Sequence, residues 1–262
     1  MFEKIINDDN NQLLNFLSQD AAFNTFLIGD YYNFSLNSEE VEFFAWKESN
    51  VIKAVIMRFR TFLLLSNPFN CPLKATEEFL LSTFKSINRF NATTEVLSQF
   101  SFIKKIKAMN LVSVSKSTLT TKRDCFSQLL SVKDAEQIVK LEREITEFTQ
   151  REDSVEEQTK ELERDLEKGD TVVFGIKEEG RVVSVATLSA INPVSGMIVG
   201  VCTTKESRKK GYAYDVLSNL LNYAFETLHL KTVSLFWDNE IAGIMYAKVG
   251  FKRAGNYAIG EK

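Results

Sequence analysis

Along the chain, apolar positions switch between spacings of three to four residues and spacings of two, the signatures of helices and strands. Leu13, Leu14, Phe16 and Leu17, then Phe23, Phe26, Leu27 and Ile28, predict a leading helical region. Val41–Trp46 and Val51–Phe59 read as strands joined by a hairpin turn at Lys47-Glu48-Ser49-Asn50. Phe62–Leu65 is a third apolar run, ended by Asn67-Pro68. Helical spacing predicts a helix over about Thr76–Ile87 and another around Thr94–Met109. A Ser/Thr/Lys-rich seam from Val112 to Asp124, a strand or an extended linker, then divides the chain.

The second half alternates more clearly. Phe126–Val132 is predicted as a strand and Lys133–Phe148 as a helix with Ile138, Leu141, Ile145 and Phe148 on one side. A charged helix follows over Val155–Lys168, with Gly169 placed as its C-cap. Strands Thr171–Lys177 and Val182–Ile191 flank a turn at Glu178-Glu179-Gly180-Arg181, and Met197–Thr203 is a third strand. From about Lys209 to Leu228, Leu217, Leu220, Leu221, Ala224, Phe225 and Leu228 give the strongest helical stripe in the chain. A strand (Thr232–Trp237), a helix (Glu240–Val249) and a strand from Phe251 complete the order. Hairpins followed by a strand–helix–strand crossover predict an α/β (α+β) fold with a mixed sheet.

Composition narrows the partners. With 32 basic against 35 acidic residues, the net charge of −3 leaves no basic excess for nucleic acid. The best basic cluster, Lys104-Lys105-Ile106-Lys107, reads as the polar edge of a helix. No apolar run reaches membrane-spanning length, and no apolar stretch of a secretory leader follows Met1. Cys71, Cys125 and Cys202 are scattered without metal-ligand or CxxC spacing, which suits a reducing cytoplasm. A single histidine, His229, nearly excludes His-based triads and multi-His metal sites, so no metal is expected.

One segment carries recognisable chemistry. The strand Val199-Gly200-Val201-Cys202-Thr203 empties into Thr204–Ser207 and then Arg208-Lys209-Lys210-Gly211-Tyr212-Ala213, at the start of the long helix. A helix N-terminus offers unpaired N–H groups and a partial positive charge. Gly211 admits a ligand close to the backbone, Ala213 keeps the next turn open, and Arg208, Lys209 and Lys210 add three cations suited to a pyrophosphate. Alone, such a run is more often an ordinary solvated helix start. Asn239, placed to cap the next helix, and Tyr246, two turns on, stand near one face.

Taken together, Val201–Thr203, Arg208–Ala213 and the Asn239…Ala242…Tyr246…Gly250-Phe251 run resemble the GCN5-related N-acetyltransferase (GNAT) superfamily over about residues 125–262. The resemblance implies a splayed mixed sheet flanked by helices, with acetyl-CoA as co-substrate. It implies that the backbone of Val201, Cys202 and Thr203 pairs with the pantetheine arm, between strands that part to admit it. The N–H groups of Arg208, Lys209, Lys210, Gly211, Tyr212 and Ala213 are expected to hold the pyrophosphate. Asn239 is expected beside the pantetheine and Tyr246 near the sulfur, where its phenol protonates the leaving thiolate. The Val201 and Cys202 N–H groups are placed to polarise the acyl carbonyl.

The implied reaction is direct acetyl transfer to an amine of a small molecule or peptide; a non-catalytic CoA-binding sensor or scaffold is the alternative. No base is assigned, because Ser195–Thr203 contains no Asp or Glu; Glu144, Glu147, Asp238 and Glu240 are remote candidates. Cys202 is read as a strand residue rather than a nucleophile, and His229 as a helix-terminal or surface residue. The acceptor side is expected over about Phe148–Asp170, and a homodimer is compatible with this reading.

Two domains are expected, 1–115 and 116–262. The first loosely echoes the order of the second, but its equivalent turn, Asn67-Pro68-Phe69-Asn70-Cys71-Pro72-Leu73-Lys74, has no glycine and two prolines without a donor. It is read as a degenerate GNAT half that has lost CoA binding, with an unrelated small α+β cap as the other reading.

Overall fold

The computed structural model describes residues 2–66, 71–121, 126–144 and 153–262. Within these, the first half runs β1 (Phe2–Ile5), α1 (Gln12–Ser18), α2 (Thr25–Asn33), β2 (Val41–Glu48), β3 (Val51–Phe59), β4 (Phe62–Ser66), α3 (Leu73–Thr83), β5 (Arg89–Ala92), α4 (Thr94–Leu97) and β6 (Lys105–Val114). The second half runs β7 (Gln128–Leu129), α5 (Ala135–Arg143), α6 (Val155–Lys168), β8 (Val172–Glu178), β9 (Arg181–Ser189), β10 (Ser195–Thr203), α7 (Tyr212–Glu226), β11 (Thr232–Trp237), α8 (Glu240–Val249) and β12 (Lys252–Glu261). The two orders match element for element: one strand, two helices, three strands, helix, strand, helix, strand. The chain is thus a tandem repeat of a single plan, and the last strand of each half runs ten residues.

By contacts the chain divides into two units. One comprises Met1–Val112, Phe236–Asp238 and Arg253–Lys262; the other comprises Ser113–Leu235 and Asn239–Lys252. In the first unit the strands lie in the order β1-β2-β3-β4-β5-β12-β6. β1 to β4 are antiparallel neighbours, β4 and β5 are parallel, and β12 returns antiparallel to β5. Alternation along β2 and β3 sends side chains to two cores. Phe43, Ala45, Val55 and Met57 meet Leu13, Leu17, Leu27 and Ile28 of α1 and α2. Phe44, Ala54 and Ile56 meet Leu80 of α3 and Val96 and Leu97 of α4. A side-chain period of two places consecutive residues on opposite faces, so a strand apolar on both faces is covered by helices on both.

The second unit repeats this plan with the order β7-β8-β9-β10-β11. On one face Ile138 and Leu141 of α5, with Leu162 and Leu166 of α6, pack on Val173, Val182, Val185 and Cys202. On the other, α7 lies over β8, β9 and β10 with Leu217, Leu220, Leu221 and Ala224 fully buried. Truncating one of these leucines to alanine costs about 2–5 kcal/mol through lost transfer energy and the cavity left behind.

Several predicted elements change. The helix expected around Thr94–Met109 stops at Leu97, and Lys105 onward is the strand β6. Lys104-Lys105-Ile106-Lys107 therefore lies at a strand entrance, not on a helix edge; the Lys104 N–H donates to the Glu261 carbonyl at 2.8 Å. Pairing with a strand more than 150 residues away overrides local helical spacing. The strand expected over Phe126–Val132 is only Gln128–Leu129, because Ser131 and Asp134 form a capping box that turns the chain into α5. The long helix begins at Tyr212, three residues later than expected: Lys209 and Gly211 are both left-handed, with φ of 65° and 83°. Short strands β1 and β5, which carry no long alternation, were not foreseen. The hairpin between β2 and β3 closes on Ser49 and Asn50, both at positive φ (48° and 63°), the twist-matched two-residue turn. Asn67-Pro68-Phe69-Asn70, Cys125, Ile145, Glu147 and Phe148 lie outside the described residues.

Candidate functional site

The site begins with a break in the sheet. β10 pairs in parallel with β11 from Ser195↔Thr232 to Ile198↔Leu235. Among the described residues that ladder ends there, while β10 continues to Thr203 alongside β9. At the same point the β9–β10 register slips: Ile198 faces Leu188 but Gly200 faces Thr187, leaving Val199 as the extra residue of a bulge. A bulge bends its strand and increases local twist. Val201, Cys202 and Thr203 therefore have one edge on β9 and the other without a strand partner, a place where an extended ligand can add as a strand. Thr203 is already engaged: its carbonyl accepts from Arg208 Nε at 3.3 Å, and its Oγ1 lies 2.8 Å from Ser184 Oγ.

Beyond Thr203 a 3-10 turn (Lys205–Ser207) leads through Arg208, Lys209 and Lys210 to Gly211, the N-cap of α7. Its φ of 83° belongs to the left-handed region that glycine adopts without strain. No side chain caps this helix, so the first N–H groups, from Tyr212 and Ala213 on, are not claimed by a capping residue. A Cβ built on Gly211 meets nothing within 4 Å, so the approach is open. Helix N-terminus, open approach and local cations fit a pyrophosphate.

The three cations are not equivalent. Arg208 reaches back to the Thr203 carbonyl. Lys210 Nζ is 2.8 Å from Glu178 Oε1, whose other oxygen accepts from Ser207 Oγ at 2.8 Å. The Tyr212 hydroxyl also donates to Glu178 Oε1 at 2.6 Å. Hydrogen bonds from Lys210, Tyr212 and Ser207 hold the Glu178 carboxyl down to about 2. A carboxylate at the end of β8 thus ties down the loop expected to receive phosphate, a constraint that the sequence reading missed.

Asn239 caps α8 as expected: its Oδ1 accepts from the Ile241 and Ala242 N–H groups at 3.0 and 3.4 Å. The carboxamide nitrogen takes no part in the cap. Tyr246, on the same helix, is 8% exposed and packs edge-on to Phe251. Burial, and then the neighbouring Cys202, push its phenol up to about 12, so it is a proton donor at neutral pH. The Cys202 thiol is itself pushed well up, first by burial and then by the Glu142 and Glu144 charges. A nucleophilic cysteine needs the opposite environment. His229 stands in the loop after α7, at φ 57°.

Of the remote acids, Glu144 is paired with Arg181 at 3.0 Å and Asp238 with Lys107 at 3.0 Å. Glu240 lies exposed in the first turn of α8. At Gly200, beside the bulge, the nearest carboxylate among the described residues is that of Glu142. A Cβ placed on Gly200 would fall 2.7 Å from Glu142 Oε1, and Thr187 Oγ1 donates to that oxygen at 3.5 Å. Glu142 also lines a cavity of about 370 Å3 between α5, α6 and the β9–β10 strands. The sequence held one hint: a glycine in mid-strand marks a place where another group approaches the backbone closely. Among the described residues no group of three His, Cys, Asp or Glu is arranged to hold a metal, and no helix is long and apolar enough to cross a membrane.

Residues 125–252 match the family described as acetyltransferase (GNAT) domain. Similar solved structures include a tandem GNAT protein from the clavulanic acid biosynthesis pathway, without AcCoA. It is 11% identical, has a TM-score of 0.61, and covers 100% of this chain and 98% of its own. A GCN5-related N-acetyltransferase from Sphaerobacter thermophilus is 12% identical (TM-score 0.63; 100% and 95% covered). An acetyltransferase of the GNAT family from Colwellia psychrerythraea is 15% identical (TM-score 0.59; 100% and 99% covered). At such identities the fold carries over and substrate does not. No curated protein matches the sequence.

Proposed function

Residues 125–252 form a GNAT acetyltransferase domain, and from that premise we propose that the chain moves an acetyl group from acetyl-CoA to an amine of a small molecule or peptide by direct transfer. One observation carries the reading: the strand edge at Val201–Thr203, left unpaired where the β10–β11 ladder ends, leads straight into an uncapped helix N-terminus opened by Gly211. An extended arm with a pyrophosphate at one end matches that sequence of features.

Acetyl-CoA, when bound, supplies an activated thioester. The chain supplies the rest. Val201, Cys202 and Thr203 offer backbone groups to the extended arm. Arg208, Lys209, Lys210, Gly211, Tyr212 and Ala213 receive the diphosphate, with Glu178 holding Tyr212 and Lys210 in place. The Asn239 carboxamide nitrogen, unused by the α8 cap, would serve the arm, and Tyr246 would supply the proton that the departing sulfur takes. Donor binding belongs to the domain of residues 116–262. In the domain of residues 1–115, α3 starts after Pro72, which has no N–H, where α7 starts after Gly211; that repeat binds no CoA.

Calorimetric titration with coenzyme A tests the reading. One site per chain is expected, abolished or strongly weakened by Gly211→Glu. Two sites per chain would sink the degenerate-repeat assignment. Release of free thiol from acetyl-CoA with a panel of amines tests transfer; binding without release would favour a CoA sensor.

A further inference from the structure

We infer that Glu142 is the catalytic base of the second unit, taking a proton from the attacking ammonium; this rests on the acetyltransferase reading above. Three observations place it. Glu142 stands on α5 with Oε1 against the backbone of Gly200, where any side chain on the strand would displace it. Gly200 immediately follows the bulge at Val199, where the parallel ladder of β10 with β11 ends. The same carboxylate borders the 370 Å3 cavity, whose walls include Val139, Thr187, Ser189 and Val199. A helix therefore delivers to the middle of the strand the carboxylate that the strand lacks.

The electrostatic surroundings suit a cationic acceptor. Among the described residues that line the cavity, Asp153, Glu161 and Asp165 accompany Glu142, and Arg143 is the cation. The Asp165 carboxyl is pushed up by burial and by the charges of Glu161 and Asp170. Like charges crowded around a cavity favour an ammonium over a neutral amine at entry, so a base must then make the nitrogen nucleophilic.

The step balances as follows. One ammonium N–H bond breaks, its electron pair staying on nitrogen and its proton passing to Glu142. The freed pair forms the bond to the acyl carbon, and the carbon–sulfur pair leaves with sulfur. Sulfur takes a proton from the Tyr246 phenol, which regains one from solvent, while the second nitrogen proton and that on Glu142 pass to water. The net products are amide, free thiol and one proton.

The test uses the full chain with acetyl-CoA and two amines: n-propylamine, an ammonium at neutral pH, and methoxyamine, already neutral there. Glu142→Gln is expected to lower thiol release with n-propylamine by about 100-fold or more, and to lower it far less with methoxyamine. The dissociation constant of coenzyme A, read by calorimetry, should stay within about twofold, a shift of roughly 0.4 kcal/mol by RT ln 2. Binding of n-propylammonium to the CoA-loaded protein, which needs no turnover, should weaken. Gly200→Ala, which displaces the carboxylate without removing it, should reproduce the n-propylamine defect at an unchanged melting temperature. An n-propylamine pH–rate profile in Glu142→Gln identical to that of the parent overturns the assignment. Failure of the parent to bind coenzyme A or to release thiol with either amine overturns the transferase reading first, and the base with it.

Discussion

Glu178 and Lys210 are ion-paired at 2.8 Å, so one cation of the Arg208–Ala213 segment is neutralised from β8 before any anion arrives. On the proposed reading, a bound diphosphate competes with Glu178 for that lysine. Glu178→Gln removes the competing charge yet keeps an oxygen for Ser207 and Tyr212. It is expected to tighten coenzyme A binding about two- to fivefold at low ionic strength, with the gain shrinking as salt screens it. Calorimetry at two salt concentrations measures this; weaker binding at both would sink the competition and leave Glu178 only its role of holding Tyr212 and Lys210 in place.

The same group sets an acid limit. Its carboxyl lies at about 2, against an ordinary 4.5. A depressed acid contributes stability that is fully present above its ordinary value and is lost as pH falls toward the depressed one. Melting temperature should therefore drop between those limits more steeply in the parent than in Glu178→Gln, as followed by circular dichroism.

Gly211→Ala separates backbone strain from ligand exclusion. A Cβ there meets nothing within 4 Å, but the φ of 83° disfavours any side chain by about 1 kcal/mol. The melting temperature should fall by a few degrees, with coenzyme A affinity reduced severalfold. Gly211→Glu, which adds negative charge at the helix start, should cost at least tenfold more in affinity than in the alanine variant.

Tyr246→Phe removes a buried hydroxyl whose proton is held up to about 12. Thiol release should slow by about 10- to 100-fold where departure of sulfur limits the rate, with coenzyme A affinity unchanged. Equal rates across the pH range would take Tyr246 out of proton delivery.

Asp30, on α2 of the first unit, is raised by burial to about 7 from 3.8, with Arg60 opposing the shift. The unfolded chain ionises first as pH rises, so stability declines between those two values and then levels. Asp30→Asn should stabilise the chain at pH above about 7 by on the order of 2 kcal/mol, and the gain should vanish in acid. Urea denaturation at both extremes of pH tests the sign.

How much of this was legible depends on the range of each interaction. The strands β2, β3, β8, β9 and β10, and the helix α6 with its Gly169 C-cap, follow from local alternation and capping. Arg208–Ala213 and Asn239 are likewise contiguous signals read against their neighbours. β6 was misread as helix because its strand character is imposed by a distant partner, and β7 was overextended because a capping box cut it short. Glu178 was noted only as part of a turn, and its three partners come from the far side of β9 and β10 in sequence.

The amino-acid order by itself determined the alternation of elements, the mixed sheet and the long helix behind a basic, glycine-bearing segment, since each rests on periodicity or adjacency within a few residues. Tertiary structure alone decided where β10 leaves β11, which cation is already paired, and which carboxylate stands at Gly200. Glu142 and Gly200 are 58 positions apart, and nothing in local spacing brings them together. Only the packing of α5 on β9 and β10, driven by burial of Ile138 and Leu141, sets that carboxylate against the strand.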